Sequence, residues 1–146
     1  NHQYITADLD SPIADVKADI TNLPFKDDSF DVIFCNHVFE HIPDDDKAMQ
    51  ELYRVMKKGG MGIFQIPLDV TRAKTFEDDS ITDPNERAKI FGQYDHVRVY
   101  GLDYFEKLRL NGFKVEEINY AKKLSPEFID RYRLMKDEII PVVYKY

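Results

Sequence analysis

The pentapeptide His37-Val38-Phe39-Glu40-His41 gathers two imidazoles and a carboxylate within five residues. It fits H-x-x-E-H, where two histidines four apart share a helix face and bind zinc while the glutamate activates water. Read that way, His37, Glu40 and His41 form a metallohydrolase centre. Against it, an apolar run of strand length comes directly before, and Pro43 follows two residues after His41. That leaves room for about one helical turn. No later acidic ligand stands out, and no metal is assigned. A second chemistry belongs to Asp8, which closes an apolar opening segment. A carboxylate beyond the carboxyl end of a strand in an open α/β sheet can accept from both hydroxyls of a ribose. The same residue type also ends ordinary turns. A third group is His96, Arg98 and Tyr100, which alternate and share one face if the chain there is extended. An arginine so placed suits an anionic ligand. The plainer alternative is a solvated connector with Tyr100 packed on the core.

The elements that must carry these residues follow from pattern. Gln3 to Ala7 is expected as a strand that stops at Asp8-Leu9-Asp10, with a second short strand at Val16 to Ala18. Thr21 to Ser29 is a loop. Asp31 to Asn36 is an apolar run of strand length, expected to be covered on both faces. Pro43-Asp44-Asp45-Asp46 caps a helix whose apolar positions are Ala48, Leu52, Val55 and Met56, with Gly59-Gly60 as its stop. Met61 to Ile66 is the next strand. Residues 68–100 break the rhythm and hold a helix from Pro84 to Phe91. A helix over Gly101 to Leu110, a strand over Phe113 to Tyr120 and a helix from Ser125 to about Met135 follow. The last strand, Ile139 to Tyr144, contains Pro141 and is expected at an edge or bulge. Alternating strands and helices make an α/β layered sheet.

Composition narrows the function classes. With 146 residues, of which 43% are hydrophobic, the chain has the means for one domain with a real core. A net charge of −7 argues against nucleic acid held by bulk charge. No apolar run approaches the roughly 20 residues of a membrane span, so no membrane partner is expected. The single cysteine, Cys35, excludes an internal disulfide framework and fits a reducing, cytoplasmic setting.

Ala18-Asp19-Ile20, Leu23-Pro24-Phe25, Ser29-Phe30-Asp31-Val32-Ile33, Asn36 to Ile42 and Glu51-Leu52-Tyr53-Arg54-Val55-Met56-Lys57-Lys58-Gly59-Gly60 occur in that order. Together they resemble the class I S-adenosylmethionine-dependent methyltransferases of the type 11 branch, from about Tyr4 to Ile66. The resemblance implies a Rossmann-like three-layer sandwich with sheet order 3-2-1-4-5-7-6 and S-adenosylmethionine as cofactor. It gives Asp8 the ribose hydroxyls, Asp19 the adenine amine, the Ile20 N–H a ring nitrogen, and Asn36 a place near the methionine moiety. His37 or His41 becomes a general base beside the acceptor. The segment 68–100, with His96, Arg98 and Tyr100, becomes an insertion shaping the pocket of a small-molecule acceptor. The family's first strand and glycine-rich loop have no counterpart before Tyr4, and Lys58 stands where a proline is usual. The expectation is a chain truncated before the second sheet strand, weak or inactive alone. A homo-oligomer that exchanges strands is expected to complete the sheet. A non-catalytic binding module of the same fold is the alternative.

Overall fold

The computed structural model describes residues 4–146. Its first sheet is a parallel pair, β1 (Ala7–Asp8) with β2 (Val16–Lys17), Ala7 facing Val16. Gln3, the expected start of the opening strand, lies outside the described residues. Within them, pairing begins only at Ala7. The pair is held by its turns: the Asp15 carboxylate accepts from the Thr6 N–H at 2.8 Å and the Thr6 hydroxyl at 2.7 Å.

The main sheet contains β3 (Phe30–Phe34), β4 (Met56–Ile63), β7 (Lys114–Ile118) and β8 (Ile140–Tyr144), in the order β3-β4-β8-β7. β3 and β4 run parallel, and the other pairs are antiparallel. Among the described residues no strand pairs with both β1 and β3, so the two sheets are separate. Taken with the β1-β2 pair, the sheets reproduce the outer strands 2 and 3 and the run 4-5-7-6 of the order implied by the resemblance.

Three expectations are corrected here. β3 is not covered on both faces: it pairs only with β4, and Val32 and Phe34 are 47% and 64% exposed. The helix α1 (Asp45–Val55) does not run on to the glycines. Met56 already has extended backbone, and Gly59 and Gly60 lie inside β4. They bulge out between the Phe30–Met56 and Val32–Met61 pairings, and Gly59 takes φ +78, which glycine adopts without strain. Finally, β8 is central although it contains Pro141. The proline falls beyond the stretch paired with β4, which ends at Val142, so its missing N–H interrupts no bond to that neighbour.

α1 presents Ala48, Met49, Leu52 and Val55 inward, and α3 (Tyr104–Leu110) presents Tyr104, Phe105 and Leu108. Of these, all but Val55 meet Val143 of β8, Phe64 just past β4 and Phe113 just before β7 in one core. The segment 68–100 contains β5 (Phe76–Glu77), α2 (Pro84–Ile90) and β6 (Arg98–Val99), with β5 and β6 antiparallel. Asp83 caps α2 by accepting from the N–H groups of Asn85 and Glu86. α4 (Pro126–Tyr132) precedes β8. No helix among the described residues is long and apolar enough to cross a membrane.

Candidate functional site

Asp8 and Asp19 stand at the carboxyl ends of the neighbouring parallel strands β1 and β2, Asp19 two residues past the last pairing. Each is anchored through one oxygen. Asp8 Oδ1 accepts from the N–H groups of Asp10 and Ser11 at 2.8 and 2.7 Å. Those bonds hold its carboxyl below the usual carboxylate range. Asp19 Oδ1 accepts from the Thr21 N–H and hydroxyl, both at 2.8 Å, with the same downward effect. Both side chains are exposed and ionised, and each keeps Oδ2 clear of these turn bonds. Ile20 is half-buried against the core. Asn36, just past β3, is exposed, and its Oδ1 accepts from the Gln65 N–H at 3.2 Å.

The Leu23-Pro24-Phe25 loop is clamped by α1. Glu51 accepts from the Leu23 N–H at 2.8 Å, and Arg54 donates to the carbonyls of Phe25 and Leu23 at 2.8 and 3.1 Å. Glu51 and Arg54 also pair with each other at 2.7 Å. The two motif blocks are thus the two sides of one clamp that fixes the loop following Asp19.

The histidine-rich stretch forms only a 3₁₀ turn, Phe39–His41. His37 precedes it with φ +56, a left-handed conformation uncommon outside glycine. The helical register that H-x-x-E-H needs is absent, because Phe39 is fully buried against Phe64 and Tyr104 and fixes the turn there. Glu40 is 2% exposed, while His37 stays open to solvent with Nδ1 3.5 Å from Glu40 Oε1. His41 Nδ1 faces Asp95 Oδ2 at 3.2 Å, and its ring meets that of His96 edge-on, centroids 4.7 Å apart. His96 is buried, its Nδ1 3.2 Å from the Phe91 carbonyl.

Arg98 and Tyr100 do share a face with His96, and that face points inward. Arg98 is 4% exposed. Its guanidinium donates to Glu77 at 2.9 Å and to the carbonyls of Phe39, Ile42 and Pro43. Four of its five N–H groups are occupied. Tyr100 is fully buried and donates to Asp45, whose other oxygen accepts from Lys107 at 2.6 Å. Burial first, then the Asp45 charge, pushes the Tyr100 phenol far up, so it stays neutral. The buried Asp45 and its partly exposed or exposed neighbours Lys107, Glu77 and Asp95 carry no signal in the sequence that marks them as part of this network. Asp45 reads there as one more acid at a helix start.

Two clefts lie against α4, lined by Pro126, Ile129 and Lys136, and by none of the residues selected above.

Residues 3–64 match the family described as "Methyltransferase domain". The 2-phytyl-1,4-naphtoquinone methyltransferase of Nostoc punctiforme is 30% identical over 133 residues, covering 87% of this chain and 46% of that protein. The demethylmenaquinone methyltransferase of Streptomyces avermitilis is 50% identical over 42 residues, 29% of this chain and 18% of that protein. The chain thus spans less than half the length of these relatives. Among solved structures, a Bacillus halodurans protein described as a methyltransferase superposes with a TM-score of 0.55 at 18% identity, covering 90% of this chain and 71% of that one. The [4+2]-cyclase SpnF gives a TM-score of 0.57 at 18% identity, covering 89% and 57%. At such identity the likeness concerns the fold, which is Rossmann-like. Over residues 3–64 the chain is thus similar to the methyltransferase domain family, and its strand order is that of the Rossmann-like class I methyltransferase fold.

Proposed function

We propose that the chain is part of an enzyme that transfers the methyl group of S-adenosylmethionine to a small organic acceptor by in-line displacement. The observation that carries this reading is the pair Asp8 and Asp19. Two adjacent strand ends each offer an ionised carboxylate with one oxygen fixed by its own turn and the other clear of it. That geometry fits a ribose diol at Asp8 and an adenine amine at Asp19, with the Ile20 N–H beside the purine edge. Asn36 would lie near the methionine end. When bound, the cofactor supplies an electrophilic methyl group. The protein's share is then mainly positioning. For an acceptor that must lose a proton, His41 is the better placed base, since the Asp95 carboxylate orients its ring. His37, open to solvent, is the second choice.

The segment 68–100 would border the acceptor. A small-molecule acceptor accords with the quinone acceptors in the relatives' names, and the single buried thiol Cys35 with a cytoplasmic setting. The free edge of β3 is where a further parallel strand would seat and join the two sheets. Turnover by this chain alone should therefore be weak, and higher once a strand and a glycine-rich turn are added before Tyr4. A dimeric mass in solution would identify exchange between copies as another way to fill the same edge.

Calorimetry with S-adenosylhomocysteine tests the reading. A saturable heat at one site is expected, weakened by Asp8→Ala. No heat at millimolar ligand would overturn it.

A further inference from the structure

Glu40 has an unresolved debt of charge. It is 2% exposed, its Oε2 has no hydrogen-bond partner, and no lysine or arginine pairs with it among the described residues. Arg98, which binds the carbonyl of the neighbouring Phe39, is already engaged by Glu77, Asp45 and three carbonyls. A buried carboxylate without a counter-charge is costly unless it is paired or coordinates a metal. Its one ionic neighbour among the described residues is the exposed His37 at 3.5 Å.

Two imidazoles stand on the other side. A carboxylate oxygen of Glu40, a ring nitrogen of His41 and a ring nitrogen of His96 all lie within 4.8 Å of one another. The acceptors beside the two rings set their tautomers. The Phe91 carbonyl can only accept, so His96 Nδ1 carries the proton and its Nε2 keeps the lone pair. The Asp95 carboxylate at His41 Nδ1 does the same for His41. A carbonyl behind one imidazole and a carboxylate behind the other are the supports that metal-ligating histidines use. Asp95 Oδ1 is a second buried oxygen with no partner, in the same cluster.

We propose that Glu40, His41 and His96 bind one divalent transition-metal ion, with Asp95 positioning His41. Two imidazoles and one carboxylate form a donor set of intermediate softness, suited to zinc, cobalt or manganese better than to calcium or magnesium. Tetrahedral ligands at the usual bond lengths stand about 3.4 Å apart, so the three side chains need only close inward. The sequence reading assigned no metal here, and the ligand set differs from H-x-x-E-H: Glu40 is a ligand, and His96 replaces His37. The group sits in the turn after β3, beside the face where the acceptor would enter. A metal there would hold an acceptor oxygen and lower the pKa of a bound hydroxyl, and because it takes the His41 lone pair it would replace His41 as the means of removing that proton.

The test reads the metal directly, without cofactor or acceptor, so it can fail while methyl transfer stands. The full chain, prepared without a polyhistidine tag and stripped with chelator, is titrated with Co²⁺ at neutral pH. Saturable visible absorption at one equivalent is expected, with displacement by Zn²⁺. Glu40→Gln and His96→Gln should each weaken Co²⁺ binding at least about ten-fold. Asp95 is partly exposed, so Asp95→Asn is the variant safest for folding, and it should weaken binding about ten-fold as well. Circular dichroism reports whether each variant keeps the native fold. Absence of saturable absorption in the unsubstituted chain would overturn the proposal. So would an unchanged Co²⁺ affinity in folded Asp95→Asn and Glu40→Gln.

Discussion

The backbone N–H of Val97 donates to the carbonyl of Glu40 at 2.9 Å. The residue after His96 is thereby fastened to the residue before His41. One position further on, Arg98 collects the carbonyls of Phe39, Ile42 and Pro43. A single 3₁₀ turn has few internal bonds, so its carbonyls need outside donors. The connector 68–100 supplies them and brings its histidine along.

Arg98 should therefore matter more to stability than a lone surface arginine. Arg98→Ala strands the carbonyls of Ile42 and Pro43, takes one of the donors from that of Phe39, and removes a buried counter-charge from Asp45, which is 3% exposed. A loss of about 3–5 kcal/mol is expected in denaturant unfolding. Arg98→Lys should recover little of it, because one ammonium cannot reproduce the planar fork. A loss below about 1 kcal/mol for Arg98→Ala would contradict the clasp.

Why the sequence misled at Arg98 and not at Asp83 is a matter of range. Asp83-Pro84 opens α2 through bonds to residues two and three positions away, which local chemistry specifies. Arg98 reaches carbonyls in a distant turn, and nothing nearby marks it as buried. The alternation of His96, Arg98 and Tyr100 was legible. Which way that face points was decided by closure onto Phe39 and Asp45. Met56 misled for another reason: an apolar residue suits the last turn of a helix and the first position of a strand equally. The strand order followed from recognised motifs, whereas His41 and His96 meet only through tertiary structure.

Gly101 is a position where any side chain collides with main chain. A Cβ there would stand 2.5 Å from the Lys74 carbonyl carbon and 2.7 Å from its oxygen. Backbone cannot swing aside as a side chain does, so Gly101→Ala should cost about 1–3 kcal/mol and lower the melting temperature. Gly92 has φ +94 but open space around it, so Gly92→Ala carries only the conformational cost of about 1 kcal/mol. Equal melting temperatures for the two variants would refute the distinction.

The clamp on Leu23-Pro24-Phe25 predicts an acid-sensitive contribution. Hydrogen bonds from Arg54 first, then from the Leu23 N–H, hold Glu51 below its ordinary value of 4.5. A depressed carboxylate contributes stability that is fully present above that value and is lost as pH falls through the folded-state pKa beneath it. Glu51→Gln should therefore cost about 1–2 kcal/mol at pH 7. The gap from the unsubstituted chain should close as the pH drops below 4.5. Denaturant curves across that range measure it, and a gap independent of pH would exclude the carboxylate as its source.

Cys35 lies in the core directly after β3, 5% exposed. Burial, and then the Glu40 charge, pushes its thiol up to about 12. Since the thiolate is the reactive form, a water-soluble disulfide reagent at pH 8 should leave the native protein unmodified. The same reagent should modify one thiol per chain once denaturant is added. Rapid reaction under native conditions would show the β3 end opening far more often than its packing implies.

The roles given to Asp8 and Asp19 can be separated by trimming the ligand as well as the protein. If Asp8 holds the ribose hydroxyls, Asp8→Ala should weaken S-adenosylhomocysteine about ten-fold or more, since hydrogen bonds to a charged group are worth about 1.5–3 kcal/mol. Against the 2′-deoxy analogue the same substitution should cost much less, because one of the two bonds is already gone. Asp19→Ala should show the opposite pattern, with full cost against the deoxy analogue and little cost against a purine analogue lacking the exocyclic amine. Coupling of each residue to its own ligand group is what a double-mutant cycle isolates. The Asp8 and Asp19 turns keep their remaining backbone order through neighbouring bonds, such as Val16 N–H to the Thr6 carbonyl at 3.0 Å. General collapse of the β1-β2 pair would weaken every ligand alike, and that uniform loss would reject both assignments.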